Sequence, residues 1–253
     1  MSSRIWLFSL VALATPACGS PAGTHPHDMS AAQHEHEASS TDETAAAHAD
    51  QYDAKARADA QACKENGALS RSGTAPVCWT STANPTEEHR REAETYRTLA
   101  AQHRAAAAEL RAAEENACGG IAAEDRDVSP FFHREDIVSV EPLMNQGYYA
   151  SHSGRGGPKV MTGARVTFRA VRGLTAQWLQ RVVNCHLARN ATLGHHEADM
   201  PDCPLVPRGV SASVVSTAEG FEVDIKATDR TTAEDVLTRA KALVPAAPSH
   251  AAR

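Results

Sequence analysis

The chain has 253 residues, only 5% aromatics and a net charge of −6, enough for one large or two small domains. An acidic balance without a basic patch argues against nucleic acid as a partner. Alanine is abundant, so the apolar fraction overstates the material available for a core.

Residues 1–18, MSSRIWLFSLVALATPAC, place Arg4 before an apolar run from Ile5 to Leu13 and then small residues. The run is too short to span a bilayer and reads as a targeting segment. It resembles a bacterial lipoprotein signal, which implies cleavage before Cys18 and a lipid anchor on that residue. Thr15 and Pro16 depart from the Leu and the Ala or Ser usual in that motif; a plain secretory signal cut near Ala17 is the alternative. Either route exports the chain. Gly19, not Asp, follows the cysteine, which in such lipoproteins implies the periplasmic face of the outer membrane. In an oxidising compartment paired cysteines default to disulfides. Setting Cys18 aside from the six cysteines leaves an odd number, so one thiol is free, joined to another chain or bound to a ligand.

Residues 19–43 hold Pro, Ser, Ala and acids with almost no large apolar side chain, and read as a disordered tether carrying His25, His27, His34 and His36. Residues 44–120 read as an Ala-rich helical hairpin. Ala49, Tyr52, Ala56, Ala60 and Cys63 share one face of a first helix over 44–66. Asn84, Pro85 and Glu87 predict the capped start of a second helix over 85–117, with Tyr96, Leu99, His103, Ala107 and Leu110 on one face. Antiparallel packing brings Cys63 and Cys78 together at the tip, predicting a disulfide, and leaves Cys118 at the opposite end.

Residues 121–136 are an acidic linker. From 137 to 245 the pattern is ββαββα. It comprises a strand at 137–143, the alternating stretch GARVTFRAV with Ala164, Val166, Phe168 and Ala170 inward, and a helix over 176–192 capped by Thr175. Strands at 210–216 and 221–227 and a helix capped by Thr231 and Glu234 follow. The tail 246–253 reads as disordered. The fold class predicted is α+β: a helical hairpin followed by a small antiparallel-sheet sandwich with both helices on one face. Its topology resembles ferredoxin-like and small periplasmic α+β modules, which does not imply a function.

The stretch CHLARNATLGHHEADMPDC, residues 185–203, is the densest cluster of chemistry-bearing side chains. A Cys185–Cys203 disulfide would close it. His186 falls on the apolar face of its helix, as a core histidine or a ligand. With His195 and His196 on the loop it forms a candidate site for Cu, Zn or Ni, the metals that suit imidazole. No motif of fixed spacing for a catalytic nucleophile, phosphate loop or metalloprotease is present. The segments HRREAETYRTLAAQHRAAAAELR and TAQWLQRVVNCHLARNATLGHHEADMPDCPLVPRGV resemble lipoproteins of myxobacterial type, a likeness over residues 80–245 that implies a lipoprotein and no activity. The function expected is a lipid-anchored, non-enzymatic envelope protein that binds a soft or borderline metal ion. The alternative is an envelope adaptor whose 85–117 helix binds a protein partner.

Overall fold

The computed structural model describes residues 29–64, 77–146, 159–195 and 200–244, with backbone alone at 60–64, 77 and 146. Cys18 and residues 19–28 of the expected tether therefore lie outside the described residues. The chain is mixed helix and sheet, of the α+β class expected from its pattern.

The first helix is not where the periodicity placed it. Helix α1 spans Ala31–Gln51, so the tether expected to reach residue 43 is helical from Ala31 onward. Ser30 starts it with a reciprocal capping box: its hydroxyl accepts from the Gln33 N–H, and the Gln33 side chain accepts from the Ser30 N–H. The expected helix over 44–66 stops at Gln51. Beyond it β1 (Ala58–Lys64) pairs antiparallel with β2 (Val77–Ala83), because Val77–Trp79–Thr80–Thr82 is β-forming material that offers the preceding segment a partner. The register sets Cys63 opposite Cys78, and Cys78 is disulfide-bonded. The Cys63 side chain lies outside the described residues.

Helix α2 spans Glu87–Cys118; Thr86 stands at its N-cap without a side-chain cap, and Asn84 instead accepts from the Thr86 N–H and hydroxyl. Ala31, His34, Ala38, Thr41 and Ala45 of α1 are buried against α2, where Ala93, Ala100, Ala107 and Leu110 are buried. The α1 set follows alternating steps of three and four, and Ala93, Ala100 and Ala107 repeat at steps of seven, the spacings of a coiled-coil seam. Alanine seams bury little: each methyl contributes roughly 0.8 kcal/mol. The pairs Asp42–Arg104 and Glu35–Arg111 flank the seam but are exposed, so they orient the helices more than they stabilise them.

The remaining elements form a denser body. Short α3 (Ala123–Asp127) precedes β3 (Ile137–Gln146) and β4 (Lys159–Arg169). Helix α4 (Ala176–Thr192), β5 (Val210–Ser216), β6 (Gly220–Ala227) and α5 (Arg230–Leu243) follow. The sheet order is β3-β4-β6-β5, antiparallel throughout. Ala164, Val166 and Phe168 of β4 and Phe221, Val223 and Ile225 of β6 pack on Leu179 and Val183 of α4 and Val236, Ala240 and Leu243 of α5. Each large side chain so buried contributes about 1.5–3 kcal/mol. The opposite face is polar, with Arg165 clamping Asp224 bidentately at 2.6 and 2.8 Å. Thr175 caps α4, as its sequence predicts, whereas Asp229, not Thr231, caps α5 by accepting from the Thr232 N–H. Phe131, from the expected linker, is buried against Phe168 in this core.

Gly163 sits at the irregularity where β3 and β4 shift register, at φ +152, and an added Cβ would lie 1.9 Å from the Ile225 carbonyl oxygen. Gly173, at φ +84, meets nothing within 4 Å. Gly163→Ala is therefore predicted to lower stability by about 3 kcal/mol or more, and Gly173→Ala by only about 1–2 kcal/mol, the intrinsic left-handed penalty. Urea unfolding of the two variants checks this ordering.

Candidate metal centre

Among the described residues of the 185–203 stretch, no group of donors converges as a metal site requires. Cys185 pairs with Cys118, not with Cys203, at a Cα separation of 4.6 Å. The 32-residue length of α2 carries Cys118 past the hairpin to α4, where the bridge is packed by Ile121, Val182 and Trp178. Closing 67 residues, the bridge is worth about 4 kcal/mol in the chain-entropy model. Cys203 is a free, buried thiol on the other side of the domain. Burial pushes its pKa up, against backbone contacts at Leu205 and Val206 and the Ser129 hydroxyl, so it stays a thiol at neutral pH and is a poor ligand and nucleophile. It lies on the floor of a cleft of about 410 Å³ with Phe131, Phe132, Met200 and Leu243.

His186 is only 1% exposed; its Nε2–H faces the Asp125 carbonyl at a long 3.4 Å, and its Nδ1 has no partner. Burial lowers its pKa, against the Asp125 and Val128 carbonyls. His195, in the left-handed region at φ 57, donates from Nδ1 to the Val206 carbonyl at 2.7 Å; burial lowers its pKa too. It secures the end of α4 rather than facing a common point with His186. His196, Glu197 and Asp199 lie outside the described residues.

The structure instead converges donors at the other end of the hairpin. His48 is on the last turn of α1, and His89 and Glu92 lie on the first turns of α2. Their Nδ1, Nδ1 and Oε2 atoms form a triangle. The edges are 3.2 Å between the histidines, 2.8 Å from His48 to Glu92 and 3.6 Å from His89 to Glu92. Tyr96 stacks on the His48 ring at 5.5 Å and holds its plane. Ligand bonds of about 2.0–2.1 Å in tetrahedral geometry require donor separations near 3.3 Å, and the three edges bracket that value. The side chains are 21%, 34% and 42% exposed, so a fourth position stays open to solvent. Two imidazoles and a carboxylate are ligands that suit Zn, Cu and Ni.

Farther along the seam a second pair, His34 and His103, meets Nδ1 to Nδ1 at 2.9 Å. It is two heptads from the first pair on both helices, as antiparallel register demands. A further group joins the exposed His133 and Glu135 with the half-buried Asp136. Arg169 bonds Asp136 at 2.8 Å as well as the Glu135 carbonyl, so part of that cluster's charge is already matched. The signal that would have found the hairpin site is the repeat itself: histidines 34 and 48, and 89 and 103, at one shared spacing.

No protein-family model, curated protein or solved structure matches the chain.

Two outcomes are predicted. Peptide mapping without reduction finds Cys118 linked to Cys185, and Cys203 is alkylated only after unfolding; a Cys185–Cys203 peptide would contradict the arrangement. For His186 and His195 the folded pKa lies below the ordinary value of about 6.5. The unfolded chain therefore binds the extra protons, and stability is whole above that pH and declines as pH falls below it. Urea midpoints should drop between pH 7 and 5.5, and His186→Leu should flatten the drop.

Proposed function

We propose that this chain is an exported, lipid-anchored, non-enzymatic envelope protein that binds a borderline divalent metal ion through its helical hairpin. Export is supported by the N-terminal segment ending at Cys18 and by the disulfide chemistry of Cys118, Cys185 and Cys78, which an oxidising compartment maintains. The anchor is a lipid on Cys18, at the periplasmic face of the outer membrane; among the described residues no helix is long and apolar enough to cross a membrane. In the finer architecture, the ββαββα part is the base and the hairpin the binding element.

One observation carries the metal reading: the convergence of His48, His89 and Glu92 at separations of 2.8–3.6 Å. The near-tetrahedral edges favour Zn over the square-planar preference of Cu(II) and Ni(II). The alternative, an envelope adaptor whose charged 85–117 helix binds a partner helix, has one face of that helix paired with α1.

The test is a calorimetric titration of the mature chain, carrying Cys18→Ser, with Zn(II). It should bind one ion at the hairpin. His89→Ala or His48→Ala should weaken binding by at least about tenfold, whereas His195→Ala should leave it unchanged. Equal affinity in all of these chains would sink the assignment.

A further inference from the structure

Helix α1 is fastened unevenly. Near its start, Ala31 packs with Ala107, Leu110 and Ala191, and Ser30 lies against Gly194, where even a Cβ would come within 2.9 Å of the Ser30 nitrogen. Its middle offers only small or polar seam residues: Ala38, Thr41 and Ala45. The Cys118–Cys185 bridge ties α2 to α4 and does not touch α1. At the far end the contacts are polar. Asn84 and Thr86 bond the Asp53 carbonyl at 2.8 and 3.2 Å, and His48 meets His89 and Glu92. The end of α1 held by polar contacts is thus also where the donors converge.

We propose, resting on the metal-binding reading above, that the ion bound by His48, His89 and Glu92 is a clasp that holds α1 in register along α2, and that its removal lets α1 open while the α+β base stays folded. His48 and His89 are 41 residues apart in sequence, and the β1–β2 pairing already joins the chain between them, so the ion adds a tie between the helices themselves. The His34–His103 layer makes the closed register unique. A slip of one heptad would set His34 opposite Leu110 and His48 opposite Tyr96, or in the other sense His34 opposite Tyr96, and separate both pairs together. A site made half from each helix exists only when the helices are paired, so the ion binds the closed form and not the open one, and shifts the balance by mass action.

The experiment is hydrogen–deuterium exchange on the full mature chain carrying Cys18→Ser, at one pH, with Zn(II) or with a chelator. A calorimetric titration on the same preparation reports binding. At free zinc of about 100 times Kd, amides of α1 and the first half of α2 should exchange up to roughly 100-fold more slowly than with chelator, while β4 and β6 exchange alike in both. In His89→Ala the zinc dependence of α1 should vanish. Glu92→Gln, a gentler change on the exposed side of the site, should reduce it, and protection of β4 and β6 certifies that each variant is folded. Stoichiometric zinc binding with α1 exchanging identically in both conditions overturns the clasp and leaves the binding reading standing. Absence of zinc binding overturns the binding reading, and the clasp with it.

Discussion

The weakness of an alanine seam is the constraint on which the hairpin depends. Small side chains let two helices approach closely, but the apolar area they remove from water is slight. Ala38, Ala45, Ala93 and Ala100 are all but fully buried, yet together they release less hydrophobic free energy than a few of the Val, Ile and Phe side chains between the sheet and α4 and α5. Pairing of α1 with α2 is therefore decided by what is added to the seam: a capping box at one end, two histidine layers and flanking ion pairs. Polar layers in such a seam cost stability and return specificity. Here the two layers repeat at one interval on both helices, so a single register satisfies both.

That weakness also explains what sequence reasoning could and could not see. The base was legible because strands β4 and β6 alternate cleanly and Thr175 announces α4; large apolar residues at fixed periods carry a strong signal. Of the hairpin, the second helix was legible and the first was not. Residues 31–43 contain no large apolar side chain, which made them look unable to fold. Their pairing depends on a distant alanine face in α2, a tertiary contact that local composition does not report. The strand pairing of β1 with β2 was missed for the same reason: Ala56, Ala60 and Cys63 fit a helical period equally well.

The disulfide of the 185–203 stretch was misplaced by proximity along the chain. Cys185 and Cys203 bracket a loop, and nearness in sequence favoured their pairing. Yet Cys185 points to the side of α4 that meets α2, whereas Cys203 falls in the core beneath Ser129 and Phe131. A helix of the length of α2 can deliver Cys118 to a partner that no local reading suggests. His186 was rightly placed on the inner face of its helix, but its neighbours there are the Asp125 and Val128 carbonyls rather than other ligands. Among the described residues, the histidines that meet lie on different helices, and the repeat of their spacing is the signal for them.

The disulfide and the histidine cluster divide the labour of holding one long helix between two partners. Cys118 fixes the C-terminal end of α2 covalently to the α+β base, so α2 keeps its place through any local opening. His89 and Glu92, at the other end of the same helix, present donors to α1, whose pairing with α2 rests on small and polar side chains. A ligand stabilises only what it binds, and at this site it binds a junction rather than a core. Its free energy is therefore directed almost wholly to the pairing of α1 with α2. The base, whose large apolar side chains already close its core, has nothing to gain from the ion.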